Sequence, residues 1–227
     1  MSNMVYGKNS FFEALSNSRI TMAYVLDDKE IKGYHIPYKI VDRKTLDRMS
    51  KSGNHQGYLA EVKEFKMSNV DEMIKDNNGL IVILDGLEDV HNLGAIIRTC
   101  ECAGVDGVIY KSHNSVKVND TVAKVACGAL EYVKIAEVTN LTNTIKHLKD
   151  NGYWIVGADG NCDQLYTDLK YDFNTVLVIG SEGKGISRLV KEECDYVVKL
   201  PMVGKVTSLN ASVAAGILIY NVLNSRK

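Results

Sequence analysis

From residue 80 onward the chain alternates short apolar runs with helically spaced segments, and that alternation leaves few folds open. The runs at 80–84, 105–110, 132–136, 153–158, 176–179 and 196–200 are apolar and rich in β-branched residues. Continuous apolar strands of this kind are buried on both faces. Between them lie segments of helical period. Residues 93–102 put Leu93, Ile96, Ile97 and Cys100 on one stripe. Further helices are expected over 119–127 and 141–149, the latter closed by Asn151-Gly152. The pattern predicts an α/β fold with a mostly parallel sheet and helices on both faces. A last helix, 208–223, is apolar nearly all round, which predicts burial, here at a subunit interface.

The first 66 residues read as a smaller α/β unit. Tyr6-Gly7-Lys8-Asn9-Ser10 leads into a helix with Asn9 or Ser10 as its cap. Strands are expected at 22–26, 38–41 and 58–62, a helix at 42–49, and a polar turn at Gly53-Asn54-His55-Gln56-Gly57. Polar residues with one helical patch at 70–74 then read as a linker. The expected domains are therefore 1–66, a linker at 67–79, and 80–227.

Composition narrows the function classes. At 227 residues, 45% hydrophobic and 24% charged, the chain can bury a core without disulfides or metals. Five scattered cysteines with no CxxC pair read as reduced thiols. The start, MSNMVYGKNSFFEAL, has no basic segment leading into an apolar one, so no signal peptide and a cytoplasmic location are expected. No apolar run approaches the roughly 20 residues that span a membrane. The five histidines form no spaced set with Cys or carboxylates, so no metal is expected. Net charge is −1, but residues 1–66 hold 11 Lys+Arg against 8 Asp+Glu. That small excess is weak support for an anionic partner there.

Three stretches after apolar runs are poor core and good chemistry: Asn92-Leu93-Gly94-Ala95-Ile96-Ile97-Arg98, Gly180-Ser181-Glu182-Gly183-Lys184-Gly185 and Ser208-Leu209-Asn210-Ala211-Ser212. Open α/β sheets bind ligands past the C-terminal ends of their strands. The glycine-rich stretch is a tight turn or a close backbone approach to a ligand. It matches neither a Walker loop nor a dinucleotide loop. Asn92 reads as a helix cap or a site residue, and Arg98 as a surface charge or an anion ligand. Ser208 is a natural cap, whereas Asn210 and Ser212 in an apolar helix call for partners.

Together, Leu84-Asp85-Gly86 with His91-Asn92-Leu93-Gly94-Ala95-Ile96-Ile97-Arg98, then 177–185, then 200–214, resemble the three motifs of the SpoU-type RNA ribose 2′-O-methyltransferases of the SPOUT superfamily, in order and spacing. Tyr6-Gly7-Lys8-Asn9 and His55-Gln56-Gly57 resemble landmarks of the L30e-like RNA-binding domain that many members carry. The His91-Asn92-Leu93-Gly94 and His-Gln-Gly signatures are most similar to enzymes that methylate a guanosine of 23S rRNA. The chain departs from the pattern at 26–38, too short for a full helix, and at Ala211, where a β-branched residue is common.

The resemblance implies an L30e-like domain followed by an α/β-knot domain, a deep trefoil knot. It implies S-adenosylmethionine as methyl donor, held near Gly180, Leu200, Met202 and Leu209. It implies a homodimer packed through the knot and the last helix. Asn92, Arg98, Glu182, Ser208 and Asn210 become the catalytic candidates. Arg98 would bind a phosphate and steady the developing alkoxide, because a guanidinium is a poor base. Asn92, Ser208 and Asn210 would orient the ribose, and Glu182 would hold Arg98 or accept a proton. The alternatives are a tRNA ribose 2′-O-methyltransferase and a non-catalytic RNA-binding or ribosome-assembly protein.

Overall fold

The computed structural model describes residues 3–51, 54–63, 65, 67–113 and 115–226. Met1, Lys66 and Lys227, at the expected domain ends, and Gly53 of the expected turn lie outside them. Along the chain the elements are β1 (Asn3–Tyr6), α1 (Lys8–Ser16), β2 (Ile20–Val25), β3 (Tyr38–Ile40), α2 (Arg43–Ser50), β4 (Tyr58–Val62), β5 (Leu80–Asp85), α3 (Val90–Cys102) and β6 (Gly107–Lys111). They continue with α4 (Asp120–Ala126), β7 (Ile135–Val138), α5 (Leu141–Asp150), β8 (Tyr153–Ala158), β9 (Asn174–Gly180), α6 (Arg188–Glu192), β10 (Tyr196–Val198) and α7 (Ala211–Ser225).

The chain parts into two compact units. The first holds Met1–Lys66 and Val118–Tyr132, the second Met67–Lys117 and Val133–Lys227. Val118–Tyr132, read from the sequence as part of the second domain, therefore packs with the first. Val122, Ala126, Ala129 and Leu130 are buried. The sequence predicts a helix over 119–127 but cannot say which core it joins.

The first unit carries a four-stranded sheet in the order β1-β4-β2-β3. β4 runs antiparallel to β1 and β2, while β3 is parallel to β2. Its core includes Phe11, Ala23, Val25, Ile31 and Ala60. Ile31 anchors the short 26–38 segment, where Asp28 O accepts from the N–H groups of Ile31 and Lys32. The first helix begins after Gly7 (φ 91), so neither Asn9 nor Ser10 caps it. Gln56 Oε1 accepts the Lys8 N–H at 2.9 Å, a cap supplied from 48 residues away. The neighbouring His55 is 1% exposed. Its Nδ1 accepts from the Gly57 N–H at 2.9 Å, so Nε2 carries the proton toward Asp47 Oδ1 at 3.1 Å.

The second unit carries a six-stranded sheet in the order β10-β8-β9-β5-β6-β7, with every pairing parallel. All six residues of β5 are buried, as a central parallel strand requires. The segment read as a linker is part of this unit. Met73 is fully buried in its core, and a Cβ on Gly107 would overlap the Met73 side chain. The short 3₁₀ turn Val70–Met73 that delivers it is held by a capping box between Asn69 and Glu72.

Helix α7 packs on α3 and β9 through Ala215, Leu218, Ile219 and Val222. It is not buried all round: Val213, Ile217 and Tyr220 are 50%, 38% and 42% exposed. Among the described residues, no helix is long and apolar enough to cross a membrane.

Candidate functional site

The three chemistry-bearing stretches meet beyond the C-terminal ends of the strands. Parallel pairing sets Asp85, at the end of β5, beside Gly180, at the end of β9. Asp85 is only 8% exposed and accepts the Ser187 N–H at 2.7 Å, tying the exit of the glycine-rich loop to β5. The loop closes on itself through two bonds between Ser181 and Gly185, at 3.1 and 3.0 Å. Its glycines have a structural cause. Gly183 and Gly185 adopt φ of 82° and 67°, and a Cβ on Gly180 would overlap the backbone of Gly185 and Ile186. The loop so folded presents Glu182.

Asn92 is not the cap of its helix. Asp89 fills that place, accepting the His91 N–H at 2.9 Å, and Asn92 stands three residues further in, buried. Its amide donates to Glu182 Oε1 at 2.7 Å, and its carbonyl accepts from Asn210 Nδ2 at 2.9 Å. Asn210 Nδ2 also donates to Glu182 Oε1 at 2.9 Å, which closes a triangle of side chains. The Ala211 N–H adds a longer bond to the same oxygen at 3.4 Å. Asn210, rather than Ser208, caps α7: its Oδ1 accepts the Ser212 N–H at 2.9 Å and the Ser212 hydroxyl at 2.6 Å. The cap fixes which end of the amide is oxygen and aims the nitrogen at Glu182.

Arg98 lies on α3 six residues past Asn92 and is exposed. Glu182 Oε1 is engaged by the two asparagine amides and the Ala211 N–H. Leu200 is half-buried, and residues 201–210, with Met202, Ser208 and Leu209 among them, are exposed. At the C-terminal end of β8, Lys191 bonds Asp159 Oδ2 at 2.7 Å, and that bond holds the Asp159 carboxyl below its ordinary range. Asp85 and Asp159 were given no role by sequence reasoning. Asp85 stands at a strand end, the signal that could have marked it. Asp159 could not be told from a surface carboxylate.

Comparison with known proteins decides the family. The SpoU rRNA Methylase family model matches residues 79–220, which hold all three stretches. The chain belongs to the SpoU rRNA methylase family. A second model, RNA 2′-O ribose methyltransferase substrate binding, matches residues 4–68. The SpoU chain is 40% identical, over 98% of its length and 95% of the relative's, to YacO of Bacillus subtilis (strain 168), whose name places it among TrmH family tRNA/rRNA methyltransferases. A Staphylococcus aureus (strain COL) protein named for the same family is 45% identical over 87% of this chain and 82% of its own. Among solved structures, the SpoU methyltransferase AviRb of Streptomyces viridochromogenes, crystallised with AdoMet, superposes with a TM-score of 0.86 at 22% identity, over 98% of this chain and 89% of that one. The TrmH/SpoU tRNA modifying enzyme of A. aeolicus is 32% identical over 69% of this chain and 79% of its own, with a TM-score of 0.60. The α/β fold with a parallel sheet is that of SpoU methyltransferases.

Proposed function

We propose that this SpoU protein methylates a ribose 2′-hydroxyl of RNA with S-adenosylmethionine, and that its target is a guanosine of 23S rRNA. The observation that carries the reading is the triangle of Asn92, Glu182 and Asn210, drawn from three distant stretches to one strand edge.

The residues fit the cofactor by their chemistry. Gly180, lacking a Cβ, lets the backbone of Gly185 and Ile186 close against the end of β9 and so sets the edge of the site. The exposed 201–210 stretch offers main-chain groups beside the apolar Met202 and Leu209, a combination suited to the polar edge and apolar face of a purine. Gly180, Leu200, Met202 and Leu209 would hold it, in the deep trefoil knot expected of this C-terminal region. The bound cofactor supplies a sulfonium methyl group.

The chain's own residues do the rest. Arg98, exposed on α3, meets the phosphate next to the target ribose and steadies the developing alkoxide. Glu182 Oε1 is taken by its three donors, leaving Oε2 to accept the hydroxyl proton. Asn92, Ser208 and Asn210 fix the geometry of attack, which supplies much of the acceleration. The 4–68 region binds RNA, as its family model describes for that region. A second copy of the chain covers the exposed α7 residues Val213, Ile217 and Tyr220.

The test is transfer of labelled methyl from S-adenosylmethionine to rRNA and tRNA pools from cells lacking the protein, with mapping of 2′-O-methylation. The expected signal is one 23S guanosine. Signal in tRNA alone would move the target to the second reading, which the A. aeolicus tRNA modifying enzyme's likeness favours. No transfer to any RNA, with the cofactor bound, would leave a non-catalytic RNA-binding protein.

A further inference from the structure

In the first compact unit, one buried carboxylate oxygen, Glu13 Oε1, has no hydrogen-bond partner among the described residues. Glu13 lines a cleft open to solvent at its mouth. Arg19 lies in the same cleft, but its charge is committed elsewhere. It pairs with Glu131, donates to Lys63 O at 2.9 Å, and rests over the Phe65 ring at 4.9 Å. The ion pair is well shielded, with Arg19 and Glu131 side chains 17% and 9% exposed. Gly128, at φ 91, packs against the Glu13 side chain, which any Cβ there would overlap. Gly128 and Glu131 belong to Val118–Tyr132, the stretch that departs from the second unit to join the first.

A desolvated carboxylate oxygen without a donor costs stability, and a fold that keeps one is set up for a ligand that supplies donors. The shape of the cleft narrows the class. The Arg19–Phe65 stack is a flat shelf of the kind on which unpaired bases lie. Two carboxylates line the cleft, Glu13 and Glu131, against one arginine, so a phosphate is repelled and a base is not. Among the bases, guanine alone presents two adjacent donors, N1–H and N2–H, on one edge. A carboxylate accepts both. Adenine and cytosine put a ring acceptor next to their amino group, and uracil flanks its one donor with two acceptors.

We infer that this cleft binds an unpaired guanine of the RNA, with Glu13 reading its N1–H and N2–H edge and the Arg19–Phe65 shelf stacking its face. The inference rests on the reading of RNA as substrate and adds a base-specific site in the first unit, separate from the residues of the methyl-transfer site.

The experiment measures binding of the full chain to labelled hexauridylates carrying one central guanosine, inosine or adenosine, by fluorescence anisotropy. A bidentate carboxylate contact discriminates by about tenfold or more, so guanosine should bind at least about tenfold tighter than adenosine, with inosine, which lacks the N2 amine, between them. Glu13→Gln should erase that difference without lowering the melting temperature, because Glu13 Oε1 has no donor to lose. Equal binding of the guanosine and adenosine oligonucleotides would overturn the inference. So would a preference that survives Glu13→Gln, a lower melting temperature in that variant, or Glu13-dependent binding of spermidine without base preference. Methyl transfer to rRNA, assayed in parallel, separates the two readings: guanine preference without transfer defeats the enzyme reading alone, and transfer without preference defeats this one alone.

Discussion

Asn92 donates its side-chain amide to Glu182 at 2.7 Å, a bond between residues 90 apart in the chain. One partner is buried inside a helix and the other stands on an exposed glycine-bounded loop. The bond therefore fixes a mobile type of side chain against a rigid one. Asn92→Asp tests it. The substitution keeps the shape but sets a second carboxylate against Glu182 and removes its shortest donor. Methyl transfer should fall by about two orders of magnitude, in the range of other lost transition-state contacts, while circular dichroism stays native. Transfer within about threefold of wild type would show the bond to be dispensable.

Asn210 has two roles that separate by mutation. Its oxygen caps α7, and its nitrogen reaches Glu182 and Asn92. Serine caps nearly as well as asparagine but is too short to span to Glu182. Asn210→Ser should keep stability within about 1 kcal/mol in urea unfolding and lower transfer by at least about tenfold. Asn210→Ala should lose both. Equal activity of the serine variant and the wild type would reduce Asn210 to a cap.

Much of the fold was legible because its strands are apolar on both faces. The runs at 80–84 and 176–179 lie within the central β5 and β9, and 153–158 is β8. What escaped was set by distance along the chain. The cap of α1 comes from Gln56, and no local pattern at Asn9 or Ser10 could reveal it. Ser208 and Asn92 look like caps, but Asn210 and Asp89 do the capping, because the helices start later and earlier than their apolar stripes suggest. Met73 sat in a polar stretch and was read as linker, although one methionine is enough to bind that stretch to the core. In the site, Asn92, Glu182 and Asn210 were legible as residues too polar for their setting. Their mutual bonds were not, since periodicity carries no information about side chains 90 residues apart.

Gly180 is explained by backbone crowding. Gly180→Ala must push the 181–186 loop away from β9, at a cost of about 1–3 kcal/mol typical of overpacking. Cofactor affinity by calorimetry should fall with it. Gly160→Ala, where a Cβ meets nothing within 4 Å, serves as the control and should leave both unchanged. A Gly180→Ala protein with wild-type affinity and stability would contradict the crowding.

Asp159 predicts a pH dependence. Its bond to Lys191 holds the folded carboxyl below the ordinary value. Its stabilising effect is therefore complete above the unfolded pKa of about 3.9, and disappears as pH falls through the lower folded value. Asp159→Asn should melt below wild type at pH 7, and the two curves should converge only in strong acid. A gap that stays constant from pH 7 down to pH 2 would assign the effect to something other than this charge.

Arg226 closes the second unit in a way no sequence pattern announces. Its Nε donates to Tyr171 O at 3.1 Å and Nη1 to Asn78 O at 2.7 Å. Nη2 reaches Gly79 O at 3.0 Å, Phe173 O at 2.7 Å and Thr175 Oγ1 at 3.0 Å. These acceptors lie just before β5 and around the start of β9, so one side chain staples the end of α7 to the base of the two central strands. Burial lowers its pKa, and the ring of oxygens it satisfies would be left short of donors without it. Lysine keeps the charge but not the planar fork. Arg226→Lys should lose several of the five bonds and cost roughly 2–4 kcal/mol in urea unfolding, since hydrogen bonds to charged groups are worth about 1.5–3 kcal/mol each before relaxation. Because the staple is far from Glu182 in its bonding, transfer per folded molecule should stay near wild type. A lysine variant as stable as wild type would mean that the charge alone holds α7 in place.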